Sequence, residues 1–324
     1  MKGLPLANKN LAAALDDCRS QRALSPTMTV AEALRLLMSE CRAQIRRQRA
    51  LLLTSDDPEG IHQTRVALRQ VRAILMLFGN VVDDPRLRAI DAEARRLARE
   101  CGPARELHVF LSETAPDAPA EVARVGRELG SRHLRRARQA LSGEAFARFD
   151  ASLREFIGSL SRVADETLST FARHELDACL RRVRRRGRAL RRLSTSGLHR
   201  LRIAAKRLRY AAASLAPIFP TREAAEYIQF VEALQDALGK LNDRSVGKRV
   251  LSDITAATRL SKPARTRCKR LAKHLASGKK RDRRRIERAW KTFRRAEPFW
   301  ERANEAATRP SRWPAHLVVA SVGA

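Results

Sequence analysis

Apolar residues recur at spacings of three and four along most of the chain, embedded in Ala, Leu, Arg and Glu, with no alternating β-branched run. The pattern predicts an all-α fold. A first long helix is expected from about Thr29 to Thr54, where TSDDPEG breaks it; Asp57 offers an N-cap and Pro58 a first helical position for the next helix. An Arg-rich helix over residues 173–192 is broken by LSTSG in the same way, with Ser194 or Ser196 available as the next cap. Further breaks fall at DDP (83–85), CGP (101–103), TAPDAP (114–119), SGE (142–144), IFPTRE (218–223), SKP (261–263) and SGKK (277–280). Short loops between helices of this length imply antiparallel bundles. Periodicity is weak in residues 1–25 and 306–324, which read as tails flanking a domain over 26–305.

Within this pattern one stretch occurs twice. GIHQTRVALRQVR (60–72) aligns without a gap to GLHRLRIAAKRLR (197–209), five of thirteen positions being identical. His62 meets His199, Arg65 meets Arg202, Arg69 meets Lys206 and Arg72 meets Arg209, each 137 residues apart. LARECGPARE (97–106) falls against LQDALGKLND (234–243) at the same offset, so Gly102 meets Gly239 and Glu106 meets Asp243. A register held this far points to an internal duplication, with halves at about 26–160 and 161–305.

On a helix the four residues of the first copy fall within roughly 80°, opposite an apolar arc of roughly 120° that carries Ala67, Leu68, Val71, Ile74, Leu75 and Phe78. Like charges at these spacings repel by a few tenths of a kcal/mol per pair, so a kept stripe needs a compensating interaction. Arg42, Arg46 and Arg49, with Arg181, Arg184, Arg185, Arg188 and Arg192 on the counterpart helix, are secondary candidates or equally a solvated face. The histidines read either as ligand groups or as structural hydrogen-bond partners. If they carry charge at a binding site, affinity falls above the imidazole pKa.

Composition sharpens this. The 324 residues carry 66 Lys plus Arg against 35 Asp plus Glu, a formal charge of +31, and 44% are apolar, enough for a folded core. Such a surplus asks for an anionic partner. Five scattered cysteines, without CxxC or nearby His at ligand spacing, form neither a zinc site nor a disulfide ladder and suit a cytoplasmic setting; no metal and no cofactor is expected. No apolar window is long enough for a membrane span. Nucleic-acid binding shares the electrostatics, but two Tyr and three Trp provide few stacking platforms and no recognition motif appears, leaving weak salt-sensitive adhesion to DNA or RNA as the alternative. Walker A, HExxH and GxSxG patterns are missing; Glu106 and Asp243, expected in equivalent loops, read as partners that orient arginines or cap helices, so no catalytic residue is expected.

HQTRVALRQVR and LHRLRIAAKRLRY resemble the paired signatures of the CHAD family, the conserved histidine α-helical domain, and LQDALGKLND is similar to its later motif. The resemblance spans roughly residues 26–305; Gln70 stands where the family usually has a further basic residue, and CGPARELH is a loose version of its LGxxxD element. It implies two helical bundles of about four helices each, related by a pseudo-twofold, with basic residues lining a central groove or pore. It also implies binding of inorganic polyphosphate, location on polyphosphate granules, and association with polyphosphate-metabolising proteins, since some members sit beside a CYTH domain. The polyphosphate-binding residues so implied are His62, Arg65, Arg69, Arg72, His199, Arg202, Lys206 and Arg209.

Overall fold

Thr29 starts the first helix by accepting from the Glu32 backbone N–H while the Glu32 carboxylate accepts from the Thr29 N–H, a reciprocal cap that fixes where helix α1 (Val30–Thr54) begins. The computed structural model describes residues 23–55, 58–82, 84–160 and 166–301. After α1 come α2 (Pro58–Phe78), α3 (Arg86–Glu100), α4 (Gly102–Val109), α5 (Ala120–Ser142) and α6 (Glu144–Ser159). A second series follows: α7 (Leu168–Gly187), α8 (Thr195–Leu215), α9 (Thr221–Ala256), α10 (Lys262–Ala276) and α11 (Lys279–Arg295). Among the described residues the only extended pairing is one isolated bridge between Thr29 and Thr167, so the fold is all-α. The expected tails lie almost wholly outside the described residues, as does the Asp57 cap.

Helices α2 and α8 are both 21 residues long, and their ends lie 137 residues apart, at the offset of the sequence match. Elsewhere the two series differ. Pro103 splits the first into α3 and α4, because proline lacks the N–H that would continue the helix, whereas Lys240 at the matching position lets α9 run unbroken for 36 residues. The described helices therefore number six and five, more than about four each, short α4 being one of the additions. Glu106 and Asp243 consequently sit within helices α4 and α9, not in the loops expected for them.

Most of the apolar faces meet in one core that crosses both series: Leu34 and Met38 of α1, Phe78 of α2, Phe171 of α7, Leu208 of α8 and Tyr227 of α9 belong to it. Phe78 and Phe171 stack with centroids 4.8 Å apart, so the two series do not have separate cores. A smaller cluster at the far end joins Phe110 and Val125 to Ile254, Cys268 and Leu275.

α9 is the spine on which α10 and α11 fold back. Leu275 of α10 lies beside Gly247, Arg244 binds Asp282 of α11 at 2.8 Å, and the rings of Tyr227 and Phe293 lie 6.2 Å apart. The turn between α10 and α11 needs Gly278, whose φ of 85° is in the left-handed region. α7 meets α11 through Gly187: a Cβ there would fall 2.1 Å from the Trp290 ring. Gly187→Ala is therefore expected to destabilise by about 3 kcal/mol, since a buried indole has little room to move, read as a lower denaturant midpoint at unchanged m-value.

Candidate functional site

The apolar arcs of α2 and α8 are sunk in the core, which leaves their basic edges to meet where the two helices pack together. Ser194 sets the start of α8 by accepting from the Gly197 N–H, one of the two caps expected from sequence. That N–H is therefore occupied and adds nothing to an anion site.

The meeting point is marked by a bond between the stripes. Arg69 of α2 donates from Nε and Nη2 to the Tyr210 hydroxyl of α8, at 3.1 and 2.8 Å, while the Arg209 guanidinium lies over the Tyr210 ring at 4.8 Å from its centroid. Arg65, Arg202 and Lys206 gather around Arg69 closely enough to act on one another electrostatically. Gly102 makes room for this, because a Cβ there would approach the Arg65 guanidinium to 3.2 Å.

The eight residues of the two stripes divide. Arg65, Arg69, Arg202 and Lys206 have no carboxylate at ion-pair distance among the described residues. Arg72 is bonded to Asp91 at 2.8 Å, and Arg209, only 3% exposed, faces Glu232 at 3.4 Å. These two matched positions serve the packing of α2 on α3 and of α8 on α9. His62 is half-buried inside the cluster and His199 is exposed, so the matched histidines do not share an environment.

The electrostatics follow from burial without compensation. Burial, then the guanidinium groups of Arg69, Arg202, Arg209 and Arg65, push the Lys206 ammonium down to about 6. Burial and the neighbouring Arg105, Arg69, Arg65 and His108 push His62 down to about 4, so it is a neutral imidazole near neutral pH. Burial also lowers Arg65 and Arg202, opposed by Glu106 and Asp243 respectively. Burial raises the Asp243 carboxyl, against the pull of Arg202 and Lys240. The duplicated acids thus each act on the arginine of their own repeat, as orienting partners would. Glu106 is further held by Arg249 at 2.5 Å. The Arg202 Nε, like the Arg207 Nε, is shut off from solvent and donates to no described protein atom.

Arg105, His108 and Tyr210 complete the site, although sequence spacing did not single them out as site residues. Arg105 and His108 come from α4, whose place beside α2 follows from tertiary packing. Tyr210 carries the only signal, standing next to the second motif. The secondary candidates lie elsewhere. Arg42 forks onto Asp150 at 2.8 and 2.6 Å, Arg46 lies 3.8 Å from the same carboxylate, and Arg49 donates to the Leu141 carbonyl and covers the Phe146 ring. Arg42 and Arg46 clamp α1 to α6, and Arg49 ties α1 to both α5 and α6. Arg181, Arg184, Arg185, Arg188 and Arg192 are exposed on α7 and the turn after it. Among the described residues no group of His, Cys, Asp and Glu is arranged to hold a metal ion, and no helix is long and apolar enough to cross a membrane.

A CHAD domain family model matches residues 36–252. Among solved structures, the crystal structure of the CHAD domain from the plant Ricinus communis aligns with a TM-score of 0.75 at 25% identity, covering 86% of this chain and 97% of that one. PptA from Streptomyces chartreusis aligns with a TM-score of 0.59 at 16% identity, over 84% of this chain and 99% of that one, a likeness of fold alone. No curated protein matches the chain.

Proposed function

This chain belongs to the CHAD family, and from that premise we propose that it binds inorganic polyphosphate, without turnover, in the cation cluster between α2 and α8. The observation that carries the reading is the convergence of Arg65, Arg69, Arg202 and Lys206 from two helices, half-buried and without a carboxylate at ion-pair distance among the described residues. Three guanidinium groups held this way repel one another and drive the proton off Lys206, and a chain carrying about one negative charge per phosphate would offset that repulsion and favour the protonated lysine.

Each residue has a distinct part. Arg65 and Arg202 present planar forks that match paired phosphate oxygens, and Glu106 and Asp243 steer them from behind. Tyr210 fixes the Arg69 guanidinium while its remaining N–H groups stay available. Lys206 supplies a point charge once it takes up a proton. No bond is made or broken in this account: Glu106 is held by Arg249 and Asp243 acts on Arg202, so both duplicated acids are read as partners of arginines.

Calorimetric titration with polyphosphate of defined length tests the proposal, with a parallel incubation in magnesium followed for phosphate release. Saturable binding and no release are expected; turnover would overturn the non-catalytic part. Tyr210→Phe removes the hydroxyl that positions Arg69 and is expected to weaken binding about tenfold, the worth of one hydrogen bond to a charged group, with the melting temperature nearly unchanged. We place the protein among those that gather on polyphosphate granules as a consequence of this binding; co-sedimentation with granules from polyphosphate-loaded cells is the corresponding check.

A further inference from the structure

The cluster between α2 and α8 uses few of the chain's positive charges. Residues 259–295 alone hold 17 Lys and Arg against two acids, close to half of the net +31. They comprise α10, α11 and the turns beside them, beyond the segment matched by the family model. Sixteen of the 17 cations are exposed. Both acids are engaged outside the two helices: buried Asp282 binds Arg244 of α9 at 2.8 Å, and Glu287 lies 3.9 Å from Arg191 at the surface. Among the described residues the exposed charge of this strip is therefore uncompensated by acids of its own helices.

Its shape follows from the fold. α10 and α11 run one after the other back along α9, so the strip extends over 15 plus 17 helical residues, on the order of 45 Å. Lys262, Lys269 and Lys273 share one face of α10, and Arg284, Arg288 and Lys291 share one face of α11, by their spacing of three, four and seven. A general preference for arginine does not explain the composition: lysine is missing from residues 10–205, yet six of the chain's eleven lysines are on this strip.

We infer that the α10–α11 strip is a docking surface for double-stranded nucleic acid, held through its phosphates without base recognition, separate from the α2–α8 cluster. Three observations select this partner. The cations are spread along an open, extended edge, which suits a stiff polyanion with one charge per about 1.7 Å of axis better than a thin chain gripped from several sides. The apolar residues of both helices, Ala264, Cys268, Leu275, Ile286, Trp290 and Phe293, are buried, so the strip lacks the apolar face that a membrane-surface helix inserts. Among the described residues the same burial leaves no exposed aromatic ring on these two helices on which single-stranded bases would stack. One chain could then hold polyphosphate and a duplex at the same time.

Fluorescence anisotropy with a 30-base-pair duplex of mixed sequence, repeated across salt, tests this on the full chain. Neutralising Lys269, Lys273, Arg284, Arg288 and Lys291 to glutamine is expected to weaken duplex binding at least tenfold at 100 mM salt. It should also flatten the plot of log affinity against log salt by up to about 4.5, at roughly 0.9 per lost phosphate contact. Among the described residues none of the five side chains takes part in an internal bond, so circular dichroism and the melting curve should match the wild type. Neutralising Arg65, Arg69, Arg202 and Lys206 should change duplex affinity less than threefold, and saturating the protein with tripolyphosphate should leave the duplex bound. The inference is overturned if the wild type ignores the duplex at 50 mM salt, if the strip variant binds it like the wild type, or if the cluster variant loses it equally. None of these results bears on polyphosphate binding by the cluster, which the cluster variant tests by itself.

Discussion

Replacing Arg65, Arg69, Arg202 and Lys206 together with glutamine is expected to weaken polyphosphate binding at least about 1000-fold and to leave helical content intact. Hydrogen bonds to charged groups are worth roughly 1.5–3 kcal/mol each, so four at the low end reach about 6 kcal/mol; coupling between neighbours reduces that sum. Calorimetry and circular dichroism on the same preparation read both halves of the result. The melting temperature of the ligand-free variant should equal or exceed that of the wild type, because the substitutions remove mutual repulsion and break no ion pair among the described residues. Arg72 and Arg209 make the contrast. They belong to the same sequence stripes, but their carboxylate partners Asp91 and Glu232 tie them to packing. Their loss should register in stability before it registers in affinity.

The second large effect is on pH. Lys206 has its pKa pushed down to about 6 in the ligand-free protein, by burial and by four guanidinium groups, and a phosphate chain would restore it toward the ordinary lysine value. Between those two values binding takes up a proton. Affinity should therefore fall as pH rises above 6, approaching tenfold per unit, and lose about 50-fold between pH 6 and pH 8. Titrations in buffers of different ionisation enthalpy measure the proton taken up, and Lys206→Gln should abolish the dependence in this window. For the ligand-free protein the sign is opposite: the unfolded chain keeps the lysine protonated where the folded chain does not, so stability rises with pH between about 6 and the ordinary lysine pKa. Histidine is not the source. With His62 held down to about 4, its own contribution belongs near pH 4–5, so an affinity loss above pH 6 does not report charged histidines at the site, as the sequence alone would suggest.

What could be read in the sequence was whatever local periodicity determines. The extent of α1, the Ser194 cap, the break at CGP and the matched α2 and α8 follow from apolar spacing, capping residues and proline. Hidden from it was which cations meet carboxylates. Arg65 and Arg72 lie seven residues apart on one face of α2, yet only Arg72 reaches an acid, because α3 passes beside it carrying Asp91. Glu106 and Asp243 were recognisable as a duplicated acidic pair from their repeat register, but their helical setting depends on α9 running straight through where α4 restarts after a break. The asymmetry of His62 and His199 has the same origin: α4 brings Arg105 and His108 to His62, and the matching positions of α9 are Asn242 and Ser245. The family resemblance is what turned a basic stripe into polyphosphate; charge and spacing alone stop at a polyanion.

A crystal structure of the full chain grown with polyphosphate tests the central claim most directly. The account predicts phosphate density within about 3 Å of the Arg65, Arg69 and Arg202 guanidinium groups and the Lys206 ammonium at once. Density confined to the outer helices, with those four side chains facing water alone, would contradict it.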